Sequence, residues 1–488
     1  MPSATPRVSV SRRGFLGALA GTAGAFAAQR LGLGGEGRSG DRPPNFVVVF
    51  TDDQGYQDVG CFGSPLIKTP RLDRMAAEGR RFTSFYVAAS VCTPSRAALL
   101  TGCYPQRVSL PGVLFPRSNV GLSDKETTLA ELLKTRGYAT ACIGKWHLGH
   151  LPQFLPTRHG FDSYLGVPYS NDMWLASNMA VAKDARLGKG LTPEALKPGI
   201  RKRNEVPLVR NEEVIDYPVD QSTLTRRYTE EAVRFITANK DKPFFLYLPH
   251  TMPHVPLFAS GKFKDTSKRG LYGDVIEEID WSVGQILDTL KKLGIEGETC
   301  VVFTSDNGPW LSKGKNGGCA LPLRGGKFTV YEGGMREPCI MRWPGRIPAG
   351  TECSEIAASI DLLPTFAKLA GAKVPTDRVI DGENIWPLMS GAAGAKTPHE
   401  AYFYLRGNAV GAVRSGDWKL HVGRTVRRKG KAPQTVPSQL YNLREDISEK
   451  KDVAAAHPDV VKRLEALVAK CDADIGRNGK NRRPCGKA

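Results

Sequence analysis

The run Phe46-Val47-Val48-Val49-Phe50 is apolar at every position and stops abruptly at Thr51-Asp52-Asp53-Gln54-Gly55. A strand with one wet face alternates apolar and polar residues. One that is apolar and β-branched throughout must be covered on both faces, the condition met inside a parallel sheet sandwiched by helices. The chain then repeats that unit. Helical patterning over residues 69–80 and 127–136 precedes a strand at 139–143, helical patterning over 226–238 precedes one at 244–248, and helical patterning over 272–293 precedes one at 300–304. The rhythm predicts an α/β fold with a large, mostly parallel central sheet and helices on both faces.

Each strand runs into polar residues. Asp52 and Asp53 come after the first, Lys145 and His147 after the second, His250 and His254 after the third, Asp306 and Asn307 after the fourth. Ligands of open α/β sheets bind beyond the carboxyl ends of the strands, so four clusters in that position converge on one side of one sheet. Any single cluster is also what a turn requires, since Asp, Asn and Gly favour turns; four together point to a site. Asp52, Asp53, Asp306 and Asn307 offer four oxygen-bearing side chains and neither sulfur nor imidazole. That is the ligand set of a hard divalent cation such as Ca²⁺ or Mg²⁺ and argues against zinc.

From about residue 377 the pattern changes. Short alternating segments at 401–406, 409–414, 418–422 and 439–442, then an amphipathic helix over 459–471, predict a small C-terminal antiparallel sheet with a helix. The expected organisation is a leader (1–30), a linker (31–44), a catalytic domain (45–376) and a C-terminal α+β subdomain (377–488). The charged stretch 176–217 has no clear period and reads as an insertion over the strand ends at the active site.

The 488 residues carry 68 Lys plus Arg against 49 Asp plus Glu, a formal charge of +19, so the chain attracts anions. Nucleic acid is not the expected partner. The basic residues are interleaved with acidic ones apart from short runs such as Arg427 to Lys431, and no zinc-finger, RNA-binding or basic-zipper pattern accompanies them.

Ser11-Arg12-Arg13-Gly14-Phe15-Leu16 is a twin-arginine pattern; small apolar residues continue from it to Ala28, with Ala25-Phe26-Ala27 suited to signal peptidase. The stretch is shorter than the about 20 apolar residues of a spanning helix. It predicts export of the folded chain through the Tat translocon, a periplasmic or secreted location and no permanent membrane span. The ten cysteines include no CxxC pair and no Cys/His zinc pattern, which argues against a disulfide framework. Cys471 with Cys485 is one pairing the spacing leaves open.

Cys92-Thr93-Pro94-Ser95-Arg96, continuing Ala97-Ala98-Leu99-Leu100-Thr101-Gly102, matches the sulfatase maturation signature, in which the Cys of CxPxR is oxidised to formylglycine. Gly144-Lys145-Trp146-His147-Leu148-Gly149, Pro253-His254-Val255-Pro256, Ser305-Asp306-Asn307-Gly308 and the segment from Gly326-Lys327-Phe328 to Glu332-Gly333-Gly334 resemble further motifs of the type I, formylglycine-dependent sulfatases, in the family's order. The resemblance is to the arylsulfatase A-like branch, within the alkaline phosphatase superfamily, and runs from about Asn45 to the terminal helix.

That resemblance implies an alkaline-phosphatase-like fold, one Ca²⁺ ion and hydrolysis of sulfate monoesters. By position Asp52, Asp53, Asp306 and Asn307 become the calcium ligands, joined by the modified Cys92. Arg96, Lys145, His147, His254 and Lys327 become the groups around the sulfate and the leaving oxygen. Ser170, in Pro168-Tyr169-Ser170-Asn171-Asp172, falls where relatives place a substrate-contacting serine. His250 stays open between substrate contact and a structural role. In the implied mechanism one hydroxyl of the aldehyde hydrate at position 92 attacks sulfur, with the metal as Lewis acid and Asp306 as base; His147 then deprotonates the second hydroxyl to expel sulfate, and His254, with Lys327, serves the departing alcohol. The implied partners are a sulfatase-maturing enzyme acting on the unfolded chain and a sulfate ester substrate, for which the basic balance suggests a sulfated polysaccharide. The alternative activity is a formylglycine-dependent phosphodiesterase or phosphonate monoester hydrolase, since tetrahedral oxyanions share shape and charge.

Overall fold

The computed structural model describes residues 42–426 and 432–488; the twin-arginine leader, nearly all of the linker and the basic run at 427–431 lie outside the described residues. At the centre is a 12-stranded mixed, mostly parallel sheet. Asn45–Thr51 lies in its middle, parallel to Thr299–Ser305 on one side and to Phe244–Pro249 on the other, and Ala139–Ile143 and Ser163–Gly166 continue the parallel set. The continuously apolar run explains itself here. Phe46, Val48 and Phe50 enter one buried core while Val47 and Val49 enter the other.

Helices cover both faces. Cys92–Thr101, Leu129–Lys134 and Leu362–Ala370 pack with the Phe46 face, and Pro70–Ala77, Leu224–Ala238 and Leu271–Lys292 pack with the Val47 face. Local signals set several of the ends. Pro70 opens its helix at the first turn, where its missing N–H costs nothing. Thr128 and Glu131 form a capping box, and Gly102, at φ +67°, closes the helix that Cys92 begins.

Two parts of the sheet differ from the sequence reading. The stretch expected as an insertion over the strand ends supplies the last three strands at one end of the sheet, in the order Leu208–Arg210, Glu213–Tyr217, Ala180–Leu187, with Ala180–Leu187 at the edge. An edge strand exposes much of its length and carries charge, which erases the two-residue period; Ala180–Leu187 is buried only at Ala182. Towards the other edge, which Thr351–Cys353 forms, Arg336–Arg342 and Arg80–Tyr86 add antiparallel pairings that the alternation of helices and parallel strands did not reveal.

The C-terminal sheet is separate, antiparallel and four-stranded: Tyr402–Arg406, Ala409–Ser415, Trp418–His421 and Gln439–Asn442. The helix Pro458–Ile475 covers one face through Val413, Leu420, Leu440 and Leu464, while Tyr402, Tyr404 and Ala412 join the main core. All ten cysteines are free thiols, Cys471 and Cys485 included. Among the described residues no helix is long and apolar enough to cross a membrane.

Candidate active site

The carboxyl ends of the parallel strands do converge. Asp52 and Asp53 leave Asn45–Thr51, and Asp306 and Asn307 leave the neighbouring Thr299–Ser305, held at the same level because Thr51 pairs with Ser305. The two pairs interlock: the Asp53 amide donates to Asp306 Oδ1 (3.2 Å) and Asn307 Nδ2 donates to Asp53 Oδ1 (2.7 Å). All four side chains are buried.

Three cations press on this acidic core. Arg96 sets Nε and Nη2 on Asp306 Oδ2 at 3.0 and 2.8 Å and lies 3.5 Å from Asp52, while its Nη1 donates to the Lys145 carbonyl. The Lys145 ammonium bonds Asp52 Oδ2 and reaches Ser170 Oγ at 3.3 Å. Lys327 Nζ donates to Asp53 at 2.7 Å. Buried charges persist only when compensated, and their pairing shapes the carboxyls. Burial pushes Asp52 up, but Lys145, with His254 and Arg96, holds it well below the carboxylate range. For Asp306 burial and the charge of Asp52 prevail over Arg96, pushing it up to about 7.

Cys92 opens its helix with the side chain buried, in the field of Lys145, Lys327, Asp52 and Asp306. Burial raises its thiol above the ordinary value despite the lysines, so as a thiol it stays protonated and a poor nucleophile. Thr93 Oγ1 donates to the His147 carbonyl (2.9 Å) and accepts from the Leu114 amide (3.2 Å). His147 in turn sets Nε2 2.8 Å from the Leu114 carbonyl, which requires that nitrogen to carry the proton. Its Nδ1 is buried without a partner, and burial with the nearby Lys145 keeps the ring well below its usual pKa, hence neutral. Nδ1 is therefore a free base.

His254 is fixed the opposite way round. Its Nδ1 faces the Val255 carbonyl (2.6 Å) and Asn171 Oδ1 (3.1 Å), so it donates there, and Nε2 sits 3.6 Å from Asp53 Oδ2. Asn171 orients the ring by donating to the Pro256 carbonyl. Ser170 Oγ lies 3.5 Å from the same nitrogen. Burial, then Lys327, lowers His254.

The backbone is strained where these groups emerge. Asp53 and His147 adopt φ of +63° and +62°, and Phe328, next to Lys327, +72°. Such values cost side-chain-bearing residues energy and cluster at functional sites. Gly144 shows why its position excludes a side chain: at φ +134° a Cβ would lie 1.9 Å from the Pro249 carbonyl oxygen.

A cation fits the centre. Asp52 Oδ1 and Asn307 Oδ1 are buried with no hydrogen-bond partner, although such atoms nearly always have one. Asp52, Asp53 and His254 also bring ligand atoms within 4.8 Å of one another. The hard oxygens match a divalent metal of the calcium or magnesium kind.

Of the twelve residues singled out from the sequence, eleven lie in or against this cluster. His250 does not. It is buried with Nε2 3.4 Å from Ser282 Oγ and its ring beside Tyr228, both on helices of the covering layer, and burial drops its pKa to about 3. Thr93, Asn171 and the Leu114 carbonyl gave no signal in the sequence because their part is to hold histidines, which only contact reveals. Thr93 stands inside the CxPxR motif and Asn171 directly after Ser170.

A sulfatase family model matches residues 44–372, and an N-sulphoglucosamine sulphohydrolase C-terminal model matches 326–471. The chain belongs to the sulfatase family. It is a sulfuric ester hydrolase of the alkaline phosphatase superfamily. Human arylsulfatase A is 41% identical over 465 residues, 89% of each chain. Canine N-acetylgalactosamine-6-sulfatase is 41% identical over 80% of this sulfatase and 73% of its own length. The crystal structure of Ps i-CgsB in complex with k-i-k-neocarrahexaose superposes with a TM-score of 0.73 at 32% identity, covering 91% of this chain and 94% of that one.

Proposed function

We propose that this sulfatase is exported by the Tat route and hydrolyses sulfate monoesters of sulfated carbohydrate with a formylglycine made from Cys92 and one calcium ion. The observation that carries the reading is the position of Cys92, buried among Lys145, Lys327, Asp52 and Asp306 beside two unpartnered hard oxygens. A protonated thiol suits neither attack nor a hard cation, whereas an aldehyde hydrate offers oxygen to both. The hydrate supplies the attacking hydroxyl and a second one whose deprotonation releases sulfate.

The metal would be held by Asp52, Asp53, Asp306 and Asn307 with the oxidised residue 92, and when bound it supplies Lewis acidity. The chain's own groups do the rest. Lys145, Lys327 and Arg96, all buried, offset charge on the sulfuryl oxygens. His147 takes a proton on Nδ1, the atom left free by the Leu114 bond. His254, its Nδ1–H held by Asn171, faces the departing alcohol with Nε2, which donates to it only after taking up a second proton beside Asp53 Oδ2.

The test is the mass of the Cys92 peptide from a maturation-competent host, together with 4-nitrocatechol sulfate turnover before and after chelation. The expected results are a loss of about 18 Da as thiol becomes aldehyde and chelator-sensitive sulfate release restored by calcium. An unmodified thiol in active enzyme overturns the formylglycine assignment, and faster turnover of a phosphonate monoester would move the activity to that class.

A further inference from the structure

Beside the catalytic cluster lies an aromatic surface that the chemistry above does not use. Trp310 comes three residues after Asn307; its ring centroid is 5.7 Å from that of His254 and 4.7 Å from Lys327 Nζ. Phe328 meets Trp310 edge to face at 5.4 Å. Neither burial nor backbone preference accounts for Phe328, since the residue is 43% exposed and its φ is +72°. The segment is pinned in that conformation: the Lys327 amide donates to the Pro309 carbonyl and the Phe328 amide to the Ser90 carbonyl, both at 3.0 Å. A bulky residue held in the left-handed region to show its ring to solvent is explained by what the ring would touch.

On its other side Phe328 lines a cleft between its own loop and the C-terminal sheet, together with Thr329, Tyr331, Gln439, Arg406 and Arg424. Arg406 and Arg424 are exposed and have no ion-pair partner among the described residues. The path from His254 and Lys327 therefore runs over two aromatic rings to two free guanidinium groups.

We propose that this surface is the leaving-group side of the substrate site: Trp310 and Phe328 carry the sugar ring whose ester is cut, and Arg406 with Arg424 binds a second sulfate on the adjoining sugar. The inference rests on the carbohydrate reading above and deepens it to an oligosaccharide sulfated on more than one residue. Aromatic faces take the apolar face of a sugar ring, and the planar guanidinium pairs with oxyanions in two-pronged fashion. Lys313, 4.2 Å from the Trp310 centroid, adds to the positive field.

The experiment measures inhibition of 4-nitrocatechol sulfate hydrolysis by hexasaccharides of carrageenan, chondroitin 6-sulfate and heparin, each against its desulfated form. The matured wild type is expected to bind at least one sulfated hexasaccharide tenfold or more tighter than its desulfated partner. Arg406→Ala with Arg424→Ala should shrink that ratio to threefold or less. Phe328→Gly, which keeps the backbone geometry, and Trp310→Ala should weaken both forms about tenfold. A control of equal charge change, Lys291→Ala with Arg346→Ala near the amino ends of the strands, should keep the ratio. The proposal is overturned if the wild type prefers none of the sulfated probes, if the arginine pair leaves the ratio intact, or if the control lowers it equally. Failure of the matured protein to release sulfate from 4-nitrocatechol sulfate and from every sulfated hexasaccharide is a separate outcome that removes the underlying formylglycine and carbohydrate reading.

Discussion

Two of the buried charge clusters among the described residues, around Glu332 and around Asp52, are built on opposite principles. Around Glu332 every valence is met. Oε1 accepts from Tyr404 (2.6 Å) and Lys419 (2.8 Å), and Oε2 accepts from Tyr86 (2.6 Å) and Arg336 (3.3 Å). Glu449 takes Lys419 and His421 on one oxygen and the Glu332 amide on the other. Around Asp52 the valences are left open: Asp52 Oδ1, Asn307 Oδ1 and His147 Nδ1 have no partner, and two residues are strained at the backbone. A satisfied network holds the C-terminal sheet to the segment Tyr331-Glu332-Gly333-Gly334. An unsatisfied one is held in readiness for something that arrives. The number of buried charges does not separate structure from function here; the completeness of their hydrogen bonding does.

The contrast breaks if mutations at the open cluster harm folding, or mutations at the closed one harm chemistry. Cys92→Ala should remove turnover, on the order of 10⁴-fold or more in kcat, while chemical denaturation shows stability close to wild type. Glu332→Gln should do the reverse. Removing one partner of a buried ion network costs about 3–5 kcal/mol, read as a lower denaturation midpoint, with kcat of the folded fraction changed only a few-fold. The sign with pH is defined. Burial pushes Glu332 up, but Lys419, Arg336 and Arg414 hold it below its ordinary 4.5. Its contribution is thus present above about pH 4.5 and is lost as pH falls towards the folded value. Stability of the wild type should decline more steeply through that acidic range than stability of the Gln variant.

His254→Ala sharpens the comparison within the site. It should cost about 10²-fold in kcat for a sugar sulfate and visibly less for 4-nitrocatechol sulfate, whose leaving group needs little protonation; equal losses would remove His254 from the leaving-group side. Thr93→Val is the smallest change. It deletes a bond to the His147 carbonyl and one from the Leu114 amide, at about 1–2 kcal/mol and less than tenfold in kcat. A larger loss of activity than of stability would show that the tilt of His147 matters more than its presence.

The four central strands and the polar residues after them were legible because a strand apolar on both faces leaves one arrangement open to it, and because chemistry at strand ends sits at fixed sequence positions. The edge strand at 180–187 was not, since exposure on an edge removes the periodic signal that burial writes, nor was the short pair 208–210 and 213–217, whose three and five residues are too few to show a period. His250 and His254 come after the same strand and look equivalent in sequence, yet one turns to Ser282 and the other to Asn171 and Asp53. Four residues of loop geometry separate those fates, and no local pattern encodes it.

By itself the sequence determined the layered α/β architecture, the identity of the acidic and basic groups at the strand ends and the presence of a second, antiparallel sheet. These properties come from burial and period, which belong to neighbours along the chain. Only the tertiary structure decided which ring nitrogen of each histidine is free, which carboxyl oxygens lack a partner, and that Trp310, Phe328, Arg406 and Arg424 share one surface. Hydrogen bonds and pockets join residues as far apart as 53 and 327, and such pairings are fixed by the packing of the whole fold rather than by any stretch of it.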